Sequence, residues 1–221
     1  MKLSKETINK LKNFAEINSN LLIKPGKTLT TISTGSNVAG NTQITETLDV
    51  ASDGFGIYDL NEFLGVVSLF EEPDLAFSEK FVTISQGKTS IKYFAANPDV
   101  LIFPKRDINF PEAEINFTME ADVVAFIRKV AAVLKATDVS IVGDGSEITI
   151  QVGDKKNATA STYNSIIGTS DKEFTVNLKV DNLKLLPGDY EVSISTKKIS
   201  RFVSADATYY VAIEADSSFK F

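Results

Sequence analysis

DLNEFLGVVSLF, residues 59–70, decides how the chain is read. Asp59 is a good helix N-cap, because its carboxylate can accept from the orphan backbone N–H groups of a first turn. Glu62 follows three residues on, in the capping-box position, and helical periodicity continues behind it. Three other stretches open the same way. Ser4 precedes KETINKLKNFA, Thr118 precedes MEADVVAFIRKVAAVLK, and Asp181 precedes the short NLKLL, which Pro187-Gly188 stops. The four caps fall at 4, 59, 118 and 181, so the spacing is about 60 residues throughout.

Strand-like runs fill the intervals. LLIK (21–24) and TLTTIST (28–34) flank Pro25-Gly26-Lys27, and KFVTIS (80–85) and TSIKYFA (89–95) flank Gln86-Gly87-Lys88. VSIVG (139–143) and EITIQVG (147–153) flank Asp144-Gly145-Ser146; DYEVSIS (189–195) and ISRFVSA (199–205) flank Thr196-Lys197-Lys198. Alternating or β-branched runs joined by tight turns predict four antiparallel hairpins, one after each helix. The expected class is α+β, built from a repeated β-α-β-β-β unit, two units per domain. A segment with no clear period, about 97–110, holding Pro98 and Pro104 and followed by Pro111, is the expected interdomain connector. It divides the chain into domains 1–108 and 109–221.

Composition narrows the function. The 221 residues include no cysteine and no histidine, which removes disulfides, thiolate metal sites and the commonest general base. No metal site, no cofactor and no enzymatic activity is expected. No run approaches a membrane span, and the polar N-terminus lacks the apolar core of a signal peptide, so an intracellular protein is expected. A net charge of −6 argues against a chain basic all over, but leaves room for a local basic patch. The trigram Gly-Lys-Thr occurs at 26–28 and at 87–89, yet the glycine a P-loop needs is replaced by Leu21 and Val82. Asp144-Gly145-Ser146-Glu147 lacks the 12-residue calcium pattern and reads as a hairpin tip.

One feature runs against the charge balance. At about 100° per residue, Leu3, Thr7, Ile8, Leu11, Phe14 and Ala15 share one side of the first helix. Lys5, Asn9, Lys12 and Glu16 share the other. In the third helix, Val123, Ile127, Val130 and Leu134 form the expected buried stripe, with Phe126 beside it. Arg128 and Lys129 point away. The fourth helix offers Lys184. If the repeated units place their helices on one side of a continuous sheet, these cations collect on one surface, suited to sequence-independent contact with phosphates.

Four stretches carry a family resemblance: Met1-Lys2-Leu3-Ser4-Lys5 with Leu11-Lys12-Asn13-Phe14-Ala15, IYDLNEFLGVVSL (57–69), LPGDYEVSI (186–194) and YYVAIEADSSFKF (209–221). In order and over the whole length, the chain resembles the sliding clamps of T-even-type bacteriophages, processivity factors of DNA polymerase. The resemblance implies the ring-forming processivity-clamp (DNA clamp) fold, a homotrimer, double-stranded DNA through the hole, and no catalysis. It also implies an ATP-dependent clamp loader, and the cytoplasm of an infected bacterial host as the place of action. Helices about 10–12 Å across, four per chain, would need three chains to line a hole that passes a duplex. The DNA-facing residues would be Lys5, Lys12, Arg128, Lys129 and Lys184. A DNA polymerase C-terminal peptide would dock beside the connector, on Leu101, Ile102, Phe103, Tyr210 and Ala212. Other phage DNA-transaction and late-transcription proteins are implied as further clients. Neighbouring subunits would pair Lys88–Ala95 of one chain with residues 157–165 of the next. A non-catalytic β-rich virion assembly protein is the alternative, and a carboxylate hydrolase using Glu71 and Asp74 is a third.

Overall fold

The computed structural model describes every residue except Ala158. The chain forms two compact units, Met1–Asp107 and Ile108–Phe221. The first contains α1 (Lys5–Ile17), β1 (Leu21–Ile23), β2 (Gly26–Ile32), β3 (Val38–Leu48), β4 (Phe55–Ile57), α2 (Leu60–Ser68), β5 (Asp74–Phe77), β6 (Phe81–Gln86) and β7 (Thr89–Phe94). The second contains β8 (Ile115–Met119), α3 (Ala121–Leu134), β9 (Asp138–Asp144), β10 (Glu147–Gly153), β11 (Tyr163–Thr169), β12 (Glu173–Lys179), β13 (Tyr190–Ser195), β14 (Ile199–Val203), β15 (Ala207–Ala212) and β16 (Ser218–Phe219).

In the first unit β5, β6 and β7 form an antiparallel sheet in that order, β1 pairs with β4, and β2 pairs with β3. The expected hairpin around Pro25-Gly26 does not form. Gly26 takes φ +114°, and the chain leaves β1 for a different partner strand. The hairpin closes later, between β2 and β3. There the Ser33 hydroxyl accepts from the N–H groups of Asn37 and Val38, both at 3.0 Å. Side chains were equally strand-like on both sides of the Pro-Gly turn, so the local signal could not say which strand each would pair with. The other three predicted hairpins form: β6/β7, β9/β10 and β13/β14. Their turns carry positive φ at Gly87, Gly145 and Lys198.

In the second unit β11, β10, β9, β12 and β16 form one sheet in that order, and β8, β13, β14 and β15 run side by side in another. Alternation along each strand drives apolar side chains inward: Ile141, Ile148, Ile150, Val176, Leu178, Ile194, Phe202, Tyr209 and Val211 are essentially inaccessible. Tyr190 is fully buried as well, and its hydroxyl donates to Leu186 O at 2.7 Å.

Two helix expectations need correction. Thr118 does not cap α3. It lies in β8, opposite Glu191, and the helix begins two residues after β8 ends, behind Glu120. The stretch after Asp181 is a single 3-10 turn, Val180–Asn182, rather than a fourth α-helix. Leu183 and Leu185 are both buried while Lys184 between them is only partly covered, an alternation that suits extended chain. Pro187 also disfavours helix at Leu186, and so short a piece cannot offset its own nucleation cost. Among the described residues the chain therefore has three α-helices, and the arithmetic of four helices per chain falls away.

Candidate nucleic-acid and client interfaces

α1 is held by polar groups as much as by apolar ones. The Ser4 hydroxyl accepts from Thr7 N–H at 3.1 Å. Glu46, on β3, accepts from both Ser4 N–H and the Thr7 hydroxyl. Burial pushes the Glu46 carboxyl up, but the hydrogen bonds from Thr7 and Ser4 outweigh it and hold the group at about 2. Its negative charge sits at the positive end of the helix dipole. Lys10 is buried, and its ammonium bonds Gln43 O at 2.9 Å and the Glu6 carboxylate. The buried side of α1 is thus Thr7, Lys10, Leu11, Asn13 and Phe14, turned toward Lys10 relative to the predicted stripe; Ile8 and Ala15 are half-buried. Lys5, Asn9, Lys12 and Glu16 are exposed on the other side. Among the described residues neither Lys5 nor Lys12 forms an ion pair.

α3 presents a different face. Its buried residues are Val124, Ile127 and Ala131, whereas Val123, Val130 and Leu134 are half-buried. Apolar residues surround this helix almost completely, so periodicity alone mis-set the stripe by one position. Packing on β10 favours the side where Ala131 allows a close approach. Lys129 is exposed, Arg128 donates from Nη1 to Leu185 O at 3.2 Å, and Lys184 is half-buried. Two apolar side chains stand among these cations: Phe126 is 47% exposed and Val133 80%. The Phe126 ring meets Tyr163 of β11 edge-on at 5.2 Å.

The residues expected to take a client peptide divide by unit. Leu101 belongs to the core of the first unit at 4% exposure, so it is not available to a partner as expected. It fills the space beside Gly56, where an added Cβ would lie 2.9 Å from Leu101 Cδ1 and 2.3 Å from Ala96 O. Ile102 is held through its backbone, its N–H donating to Asn20 Oδ1 at 3.0 Å and its carbonyl accepting from Asn18 Nδ2 at 2.8 Å. Its side chain is exposed, and Phe103 beside it is half-buried under the Lys105 ammonium, 3.8 Å from the ring centroid. In the second unit, Tyr210 and Ala212 are half-buried on β15, and the Tyr210 ring lies 6.2 Å from Phe110.

β7 and β11 are edge strands of their sheets, which leaves a row of backbone groups on each for another strand. Phe94 on β7 and Ile166 on β11 are 68% and 61% exposed. Of the expected subunit contact, Ala158 lies outside the described residues. Sequence reasoning did not find Glu46, Lys10, Asn18, Asn20 or Asp189 as anchors. Each acts on a backbone group distant in sequence, and only the Asn-Ser-Asn run at the end of α1 gave a local hint. No group of three or more Asp and Glu residues is arranged to hold a metal ion among the described residues.

Residues 116–215 match a family described as gp45 sliding clamp, C terminal. The sliding clamp of Enterobacteria phage T4 is 31% identical over the whole of both chains. The sliding clamp of Vibrio phage KVP40 is 30% identical across 97% of this chain and all of its own. Among solved structures, an A. fulgidus PCNA bound to the C-terminal region of FEN-1 superposes with a TM-score of 0.68 at 14% identity, covering 98% of each chain. That structural likeness shows a shared fold.

Proposed function

The chain belongs to the phage sliding-clamp family and is a sliding clamp, not an enzyme; from that premise we propose how it holds DNA. Three copies close into a ring around duplex DNA, and Lys5 and Lys12 of α1 face the phosphates, joined by Arg128, Lys129 and Lys184. The observation that carries this reading is the outer side of α1. Two unpaired lysines stand on one exposed stripe in a chain of net charge −6. Contacts of this kind attract any sequence equally and let the protein slide, while acidic groups elsewhere disfavour DNA outside the hole. Processivity follows from topology. A polymerase tethered to a ring that cannot leave the duplex rebinds at high effective concentration after each release.

Ring closure would pair the β7 edge of one subunit with the β11 edge of the next, hiding both from aggregation. The cognate polymerase's C-terminal peptide would dock on Ile102, Phe103, Tyr210 and Ala212, and other DNA-transaction and late-transcription proteins would compete for the same place. An ATP-dependent loader would open the ring in the host cytoplasm. Sedimentation equilibrium, together with primer extension on long templates by the cognate polymerase and loader, tests the reading. A trimer and full-length products that depend on this chain are expected. A monomer at tens of micromolar combined with distributive synthesis would refute it.

A further inference from the structure

The sheet formed by β8, β13, β14 and β15 carries a cation with no anion on its outer face. Arg201 sits in the middle of β14, half-buried, opposite Ser193 on β13 and Tyr210 on β15. Its guanidinium lies 4.6 Å from the centre of the Phe110 ring. The Tyr210 ring lies 6.2 Å from that of Phe110, and Tyr210 is the cross-strand neighbour of Arg201, so one cation and two aromatic side chains gather at one place on the sheet. A guanidinium offers five N–H donors. Here Nη2 reaches Ser193 Oγ only at 3.4 Å, and Nε is buried with no acceptor among the described residues. No carboxylate pairs with it among those residues, although the chain holds 29 acidic side chains against 23 basic ones. Glu191, on the neighbouring strand, instead accepts from the Thr118 hydroxyl at 3.2 Å. Removing a guanidinium from water without an acceptor is unfavourable, and a carboxylate is the group whose geometry answers it with two parallel hydrogen bonds.

We infer that Arg201 binds the chain-terminal α-carboxylate of a client tail, with Phe110 and Tyr210 walling the place of the tail's last side chain. The inference rests on the reading of Tyr210 as part of the client surface. The terminal carboxylate is the fitting anion because every C-terminal tail has one, whatever its sequence, whereas a side-chain acid would have to recur at one position in each client. Arg201 thereby selects tails that end at the sheet over segments that pass across it.

The test uses the full chain and a synthetic peptide of the cognate polymerase's C-terminus, made with a free acid and with a terminal amide. Affinity is measured by calorimetry for the wild type, Arg201→Gln and Arg201→Lys. With the wild type, the amide binds about tenfold more weakly than the acid, the size expected for losing a charge-assisted pair. Arg201→Gln binds the acid about tenfold more weakly too, and no longer distinguishes acid from amide. Arg201→Lys keeps part of the preference. A wild type that binds both peptides equally would overturn the inference without any variant. So would an Arg201→Gln variant that weakens both peptides alike, the pattern of a residue that only packs on Phe110. A free-acid peptide with every Asp and Glu changed to Asn and Gln should bind as before; loss of the Arg201 dependence there would assign the contact to a side-chain acid instead. Failure of the wild type to bind any of the peptides would remove the client reading itself, together with this inference.

Discussion

α1 and α3 are similar in length and each receives a carboxylate from a distant strand or loop at its N-terminus, but they are finished differently. At α1, Glu46 reinforces a cap that Ser4 already makes. At α3, Glu120 offers no side-chain cap and Asp189 supplies the acceptor, 2.8 Å from Ala121 N. Their outer faces differ more. α1 exposes only polar side chains, among them Lys5 and Lys12, while α3 mixes Lys129 with the exposed Phe126 and Val133. A face of lysine and asparagine stays solvated and meets phosphate through water or directly, without shape. The α3 face divides its area between Lys129 and apolar side chains that offer a phosphate no hydrogen bond or charge. The DNA contact we propose is therefore concentrated on α1, and α3 contributes less per charge.

The comparison breaks most visibly in the two phenylalanines. Phe14 is completely buried and Phe126 is about half exposed. Phe14→Ala should cost about 3–5 kcal/mol of stability in urea unfolding, and Phe126→Ala about 1 kcal/mol or less. Equal losses would mean that α3 buries its aromatic in the folded protein as deeply as α1 does.

Glu46→Gln comes next. It keeps the shape but loses the charge of bonds worth about 1.5–3 kcal/mol, so destabilisation at neutral pH should fall within or below that range. The pH dependence has a definite sign. The folded carboxyl titrates lower than the unfolded one, so its stabilisation is complete above its ordinary 4.5 and is lost as pH falls toward about 2. Urea midpoints of wild type and Glu46→Gln should converge over that window. A gap that stays constant down to pH 2.5 would show that the carboxylate is not what matters.

The caps give the smallest effects and the sharpest contrast. Ser4→Ala and Asp189→Ala should each cost about 1 kcal/mol. Thr118→Ala, at the position the sequence nominates as the cap, should stay within about 0.5 kcal/mol, because that side chain is exposed on β8. The reverse order, Thr118 above Asp189, would mean that α3 starts where the local pattern says.

Local signals named the right helices wherever the cap and the helix share one stretch of chain. Ser4 and Asp59 both act as read, and Asp59 accepts from Asn61 and Glu62 N–H at 2.9 and 3.1 Å. They failed where a tertiary partner decides. Asp189 lies 68 residues from the helix it serves. β1 chose β4 over its neighbour, and Leu183 and Leu185 are buried on either side of a half-buried Lys184 in a stretch that is not helical. Of the candidate site, the exposed lysines of α1 were visible in the heptad spacing, since a polar face needs no partner to be polar. Arg201 was not visible, because a lone arginine in an alternating strand looks like any solvent-facing residue until its neighbours are known. Lys10 was not visible either. Its charge argued for water, whereas Gln43 O and Glu6 take it inside.

The most direct test of the central claim is primer extension by the cognate polymerase and loader on a long template with Lys5→Glu/Lys12→Glu, at two salt concentrations. Both side chains are exposed and opposite the packed side of α1, so subunit association and tail-peptide binding should be unchanged. The account predicts short products from the double variant and full-length products from the parent, with the larger difference at low salt, where screening is weakest. Full-length synthesis by the double variant at both salt concentrations would contradict it and would mean that α1 does not face DNA.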